Sequence, residues 1–272
     1  MRFFIDSADV EEIRQAYGWG VADGVTTNPT LLKAAVKKRA SGGGKINLEG
    51  YITELLKAAD GTPVSLEVTE TTADGMVREG RKLHDMFNQV ADNVNIKIPV
   101  NPSFRDSDET HFDGIKAVKK LTSAGIPVNC TLVFTPEQAL LAAKAGATYV
   151  SPFAGRVDDY IRDSAKMKYG KSDYYPMEGL YEGDRLLEDN GVVSGIDLVG
   201  QCVQILRCYG FETEVIAASL RNPRQVREAA LVGADIATIP FGVIRDMLKH
   251  HKTREGMEKF TADVVPEYAG LK

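Results

Sequence analysis

The chain has 272 residues, 43% of them hydrophobic and 26% charged, with 25 Gly, 11 Pro and a formal net charge of −5. These are the proportions of an ordinary globular protein, and no apolar run approaches the roughly 18 residues of a membrane-spanning helix. There is no bulk positive field to hold nucleic acid, so any anionic ligand should be small and gripped by a few local Arg or Lys residues.

Short β-branched runs alternate with longer amphipathic segments. In chain order, strands are expected over 3–6, 24–27, 64–68, 95–98, 127–132, 148–151, 214–217 and 236–239. Helical patterns occupy 8–17, 51–59, 73–86, 112–123, 136–145, 196–209 and 223–232. Start signals precede several of these helices: Asp6-Ser7, Thr71-Thr72, and Thr135-Pro136-Glu137 with proline in the first turn. Ala124-Gly125, Ala145-Gly146 and Val232-Gly233-Ala234 read as stops, where glycine supplies the left-handed cap. Eight strands alternating with helices is the count for a (β/α)8 TIM barrel of the α/β class rather than an open sheet. Two intervals are oversized. One holds Ser41-Gly42-Gly43-Gly44, a flexible loop, and the other, 158–194, is rich in Tyr, Lys and acids and reads as a segment inserted after the sixth strand. Neither marks a domain boundary, so residues 1–272 are expected to form a single domain.

In such a barrel the chemistry sits at the C-terminal ends of the strands. Those ends carry Asp6, Thr27-Asn28, Glu67, Lys97, Asn129 and Thr131, Ser151, Phe153 and Arg156, Ser219 and Arg221, and Pro240. Each residue has a plain structural reading. Lys97 could snorkel at a strand end, Asp6 and Asn28 could cap the helices that follow, and Arg221 could be a solvated loop residue. Convergence is the stronger signal: two carboxylates, a lysine, two arginines and several amides and hydroxyls meet at one mouth. A desolvated Lys97 there could attack a ketone and form a Schiff base. Other chemistries lack support. The cysteines (Cys130, Cys202, Cys208) form no CxxC pair, and an odd, scattered set suits a reducing compartment. His84, His111 and His250-His251 lack metal-ligand spacing, so no metal is expected. Gly42-Gly43-Gly44-Lys45 is followed by Ile46 and follows no apolar strand, so it is not a phosphate loop. The N-terminus reaches Asp6 after three apolar residues, too few for a signal-peptide core, and the cytoplasm is the expected compartment.

The segments Phe4-Ile5-Asp6, Gly24-Val25-Thr26-Thr27-Asn28-Pro29-Thr30, Ile96-Lys97-Ile98-Pro99, Asn129-Cys130-Thr131-Leu132, Ser151-Pro152-Phe153-Ala154-Gly155-Arg156 and Ala218-Ser219-Leu220-Arg221 resemble, in order, the transaldolase family, which includes the small fructose-6-phosphate aldolases. The resemblance implies a cofactor-free Schiff-base enzyme acting on sugar phosphates, and a homo-oligomer of unspecified size. It implies that Lys97 is the Schiff-base lysine and Asp6 the acid/base at the C4 hydroxyl, with Glu67 and Thr131 ordering a catalytic water. Thr27, Asn28, Asn129 and Ser151 would hold the dihydroxyacetone unit, and Arg156, Ser219 and Arg221 the phosphate, for which forked guanidinium donors suit best. The small aldolases that this chain resembles carry glutamine where Glu67 stands and tyrosine where Phe153 stands, so the resemblance favours transfer of dihydroxyacetone over its release. The 158–194 segment has no counterpart in the resemblance and reads as a solvated excursion or a lid over the acceptor or head group.

Overall fold

A computed structural model describes residues 1–41 and 46–270 of the chain. Eight parallel strands close into a barrel: β1 (Arg2–Asp6), β2 (Gly24–Thr26), β3 (Val64–Glu67), β4 (Val94–Pro99), β5 (Val128–Val133), β6 (Tyr149–Pro152), and after a small hairpin (β7 Tyr181–Glu182, β8 Arg185–Leu186) β9 (Glu214–Ala217) and β10 (Ile236–Ile239). The first and last barrel strands pair, Arg2 against Ile236 through Ile5 against Ile239, which leaves no open edge. Each expected strand is present with its ends shifted by a residue or so. The fold is the expected (β/α)8 barrel. Among the described residues, no helix is long and apolar enough to cross a membrane.

Helices α1 (Val10–Gly18), α2 (Pro29–Ala40), α3 (Leu48–Ala58), α4 (Ala73–Ala91), α5 (Asp113–Thr122), α6 (Pro136–Lys144), α7 (Ala154–Ser164), α8 (Gly195–Cys208) and α9 (Pro223–Leu231) connect the strands, and α10 (Phe241–Asp246), α11 (His251–Ala262) and α12 (Pro266–Ala269) follow the last. The start and stop signals largely hold. Thr135 forms a capping box with Gln138, Thr72 caps α4, and Gly125, Gly146 and Gly233 all take positive φ. One start signal moves. The side chain of Asp9, not Asp6, caps α1 by accepting from the N–H groups of Glu11 and Glu12, so Asp6 is not spent on a helix end.

The inserted segment is shorter than expected. Residues 154–164 form α7, an ordinary barrel helix that buries Ala154, Val157 and Ile161 at helical spacing, so the excursion runs from 165 to 194. The Gly42-Gly43-Gly44 run lies outside the described residues.

Alternation along the strands divides the interior in two. Outward-facing Ile5, Val25, Ile96, Ile98, Cys130 and Val150 join one continuous apolar shell beneath the helices. Inward-facing Phe4, Tyr149, Ile216 and Ile236 form a separate cluster that plugs the barrel, with the Phe4 and Tyr149 rings edge to face at 6.2 Å. Gly24 makes room for this plug: a Cβ there would lie 2.5 Å from the Phe4 ring. Two residues further along β1, β2, β6 and β10 the inward positions are polar, Asp6, Thr26, Ser151 and Thr238, while the end of β9 places Ala218 there. Gly24→Ala should therefore destabilise the protein by about 1–3 kcal/mol, the usual cost of overpacking a core. Chemical denaturation would show this as a lower midpoint with an unchanged slope, and an unchanged midpoint would mean that the ring moves aside freely.

Candidate active site

Lys97 stands near the C-terminal end of β4, and its side chain is 5% exposed. Its Nζ donates to the Thr27 carbonyl at 3.1 Å and lies 3.1 Å from Glu67 Oε2. Register brings these groups together, since Glu67 of β3, Lys97 of β4 and Asn129 of β5 are direct cross-strand partners. The Asn129 amide is oriented from both sides: it donates to Ser65 Oγ at 3.1 Å and accepts from Ser151 Oγ at 2.7 Å. On the next inward position of β5, Thr131 is fully buried, and among the described residues its hydroxyl has no hydrogen-bond partner. A register shift between Cys130 and Val133, with Leu132 at φ +56°, sets the backbone just there.

Asp6 closes the other side of the lysine. Its Oδ1 accepts from the Thr26 hydroxyl at 2.9 Å, and Thr26 in turn pairs with the Thr238 hydroxyl. Burial pushes the Asp6 carboxyl above its ordinary range, opposed by the positive charge of Lys97 and by the Thr26 bond. A carboxyl beside a lysine in a cavity is of the chemical type that exchanges a proton with a bound hydroxyl.

Asp6, Lys97, Asn28, Ser151, Phe153, Arg156, Ser219 and Arg221 all line one cavity of about 370 Å3 at the C-terminal mouth of the barrel. Asn28 serves twice, since its side chain also caps α2 through the Leu31 N–H. Glu67, Asn129 and Thr131 do not line the cavity wall; Glu67 reaches it through Lys97 and Asn129 through Ser151, whereas Thr131 bonds to neither. Thr27 is also off the wall, its hydroxyl given to the Ser65 carbonyl and its own carbonyl to Lys97. A larger cavity of about 650 Å3, lined by Phe3, Tyr174, Arg224 and Arg227 among others, lies elsewhere and gathers no such set of reactive groups.

The Phe153 ring lies near two cationic side chains, with Lys97 Nζ 5.9 Å and the Arg156 guanidinium 5.2 Å from its centroid. Arg221 comes from the loop after β9, where Ser219 holds φ +60°. Gly155 lets that loop approach α7, because a Cβ there would meet the Ser219 carbonyl at 2.3 Å. Arg221 is therefore no solvated loop residue: its guanidinium pairs with Asp159 at 2.6 Å. The sequence reading missed Thr26 and Thr238, although their inward registers beside β1 would have pointed to them. It also assigned no site role to Lys171, which reaches this cavity from the excursion.

The family model for Transaldolase/Fructose-6-phosphate aldolase matches residues 3–268. Similar curated proteins include a probable transaldolase of Thermoplasma acidophilum, 41% identical over 97% of this chain and 95% of that protein. Another, from Aquifex aeolicus, is 42% identical over 98% of this chain and 99% of the relative. A third, from Anaeromyxobacter sp. strain K, is 43% identical over 97% and 96% of the two chains. The chain belongs to the transaldolase/fructose-6-phosphate aldolase family.

The Arg221 side of the cavity is braced from behind. The Arg221 N–H donates to Gln225 Oε1 at 2.7 Å, and Gln225 Nε2 donates to Asp158 Oδ2 at 2.7 Å. The other Asp158 oxygen accepts from the Gly195 N–H at 2.7 Å, at the start of α8. Burial nevertheless dominates and pushes the Asp158 carboxyl up to about 7. An unfolded aspartate titrates near 3.8, so between that pH and about 7 the folded state carries the extra proton. Raising pH through this window therefore weakens folding, by up to about 1.4 kcal/mol per pH unit for one group. The unfolding free energy of wild type minus that of Asp158→Asn should fall as pH rises from 4 to 7. A difference that stays flat across that range would show that Asp158 does not titrate there.

Proposed function

We propose that this protein is a transaldolase that moves a dihydroxyacetone unit from a ketose phosphate to an aldose phosphate through a Schiff base on Lys97. In the pentose phosphate pathway the reaction would convert sedoheptulose 7-phosphate and glyceraldehyde 3-phosphate into erythrose 4-phosphate and fructose 6-phosphate. One observation carries the reading: a buried lysine between two carboxyl groups, Glu67 bonded to it and Asp6 facing it, at the inner end of a cavity whose mouth holds Arg156 and Arg221.

The chain's own groups supply each step without a cofactor. Glu67 can take a proton from the Lys97 ammonium, freeing the amine to attack the ketose C2 carbonyl. It can then return that proton to the carbinolamine hydroxyl, which departs as water and leaves an iminium. The Thr131 hydroxyl, buried and without a hydrogen-bond partner among the described residues, suits the ordering of that water. Asp6 takes the C4 hydroxyl proton, the C3–C4 bond breaks, and its electron pair passes into the iminium to give an enamine and a free aldehyde. The acceptor aldehyde then adds in reverse order, and hydrolysis frees Lys97. Asn28 and the Asn129–Ser151 pair match the hydroxyls of the retained three-carbon unit. Arg156, Ser219 and Arg221 match the phosphate at the far end of the ketose, which stays with the aldehyde after cleavage.

Phe153 favours transfer over release. A phenyl ring beside Lys97 offers no proton donor and keeps water from the enamine, so the carbanion equivalent waits for an aldehyde. The same reading includes a homo-oligomer: α11 buries none of its residues and exposes Met257 and Phe260, a face suited to a second copy.

Borohydride treatment in the presence of fructose 6-phosphate should leave a covalent adduct that peptide mapping places on Lys97, and Lys97→Met should leave none. No adduct with any ketose phosphate would make the protein a sugar-phosphate binder instead. With fructose 6-phosphate alone, wild type should liberate little dihydroxyacetone until erythrose 4-phosphate is supplied. Phe153→Tyr should raise release relative to transfer by about 10-fold or more, in keeping with the effect of a positioned proton donor. Wild type that freely liberates dihydroxyacetone would instead be an aldolase.

A further inference from the structure

The excursion meets the active site through one tight turn, residues 170–173, and that turn is unusually well fastened. Asp173 closes it in both directions, donating its N–H to the Gly170 carbonyl at 2.9 Å and accepting from the Gly170 N–H at 2.7 Å. Arg162 of α7, only 4% exposed, gives one terminal nitrogen to the Asp173 and Tyr174 carbonyls at 3.0 and 2.9 Å. Its guanidinium also packs on the rings of Tyr169 and Tyr175, with centroids at 4.8 and 4.9 Å. From the barrel side, Arg221 donates to the Lys171 carbonyl at 3.1 Å, and Asn222 reaches the Ser172 carbonyl at 3.4 Å. A loop that merely covered surface would gain little from a buried guanidinium committed to its main chain, because burying an arginine carries a large desolvation cost.

What this turn delivers is Lys171, whose carbonyl is held by Arg221. Lys171 is exposed, and it lines both the catalytic cavity and an outer cleft of about 560 Å3 that includes Asp159, Lys168 and Tyr169. Arg221 lines both as well, so these two residues form the wall between them. Charge accounting then matters. Arg221 is already half neutralised by Asp159 at 2.6 Å, whereas among the described residues neither Arg156 nor Lys171 has a carboxylate within 4.0 Å. A phosphate monoester carries a charge near −2 at neutral pH. Arg156 alone cannot balance it, and the cavity's other free cation at the mouth is Lys171.

We propose that the 170–173 turn belongs to the substrate site, and that Lys171 supplies the outer positive charge that selects dianionic head groups. The inference rests on the sugar-phosphate reading above and adds to it a specificity-determining residue from outside the barrel strands. Arg221 couples the two parts: the same guanidinium faces the head-group site and holds the turn, so an anion drawing on Arg221 also bears on the position of Lys171.

Steady-state kinetics with fructose 6-phosphate as donor, and competitive inhibition by inorganic phosphate, test this in wild type, Lys171→Ala, Lys171→Glu and Lys171→Arg. Losing one charge-assisted contact to an exposed anion should raise both KM and the phosphate inhibition constant about three- to thirty-fold, with kcat changing less. Lys171→Glu should exceed Lys171→Ala, and Lys171→Arg should stay within about two-fold of wild type. Phosphate inhibition that is unchanged in both the alanine and glutamate variants would overturn the proposal, leaving the turn a structural feature alone. An equal loss in all three variants, arginine included, would also overturn it, because shape rather than charge would then be at stake. Borohydride trapping on Lys97 in wild type is read separately. Its failure would remove the transaldolase reading, whereas successful trapping with unchanged phosphate inhibition removes only the role of Lys171.

Discussion

A charged lysine buried inside a barrel is the constraint to which the rest of the site answers. Lys97 is almost fully enclosed, and moving an ammonium out of water costs several kcal/mol even after relaxation. Glu67 and the Thr27 carbonyl offset that cost at 3.1 Å each. The offset requires register, because Glu67 must be the cross-strand neighbour of Lys97, and it requires Thr27, the residue just after β2, to present its carbonyl rather than its side chain. Such a pair is a poor way to gain stability, since apolar residues of similar volume would do as well or better. Its presence one layer above the Phe4, Tyr149, Ile216 and Ile236 plug marks the point where the barrel interior stops serving the fold and begins to serve chemistry.

The two ends of the cavity are built from different materials. The reacting end is carried by strands: Asp6, Glu67, Lys97, Asn129, Thr131 and Ser151 all lie within β1 and β3 to β6. Hydrogen-bonded neighbours fix strand positions closely, which suits groups that, on the proposed mechanism, hold their geometry through several proton transfers. The cationic end comes from the first turn of α7, the loop after β9 and the excursion. Those parts are braced indirectly, through Gln225 and Asp158 on one side and Arg162 on the other. The chain as a whole is negative, yet the mouth gathers Arg156, Lys171 and Arg221, a local field of the sign that draws in a phosphate.

How much of this the sequence disclosed depends on the range of the interaction that decides each feature. Strand order, helix stops and the strand-end residues were legible because alternation, capping and glycine signals act over a few residues. Asp6 remained ambiguous for the same local reason, since a carboxylate before a helix reads as a cap. Only the structure moves that task to Asp9, with Ser7 accepting from the Asp9 N–H and turning its hydroxyl to Glu12. α7 was partly absorbed into the excursion because its charged surface residues outweighed the Ala154, Val157, Ile161 spacing that was in plain view. The irregularity at Leu132, the Thr26–Thr238 support of Asp6 and the arrival of Lys171 depend on partners 20 to more than 200 residues away, as in Thr26 to Asp6 and Thr26 to Thr238. No local pattern could carry them.

Phe153 is where the two ends meet, and its position bears on why the family can hold both transferases and aldolases on one scaffold. The residue continues β6 by bridging to Ala218, precedes α7, and packs edge-on against Phe134 at 5.8 Å. Its backbone is therefore fixed by the barrel while its ring lies against both Lys97 and Arg156. On the proposed mechanism, a change at the ring's far edge would alter what the enamine encounters without moving the lysine, its carboxylates or the arginine. The head group would be read separately, by loops outside the strands. On that reading, reaction type and substrate choice would diverge independently on the same barrel.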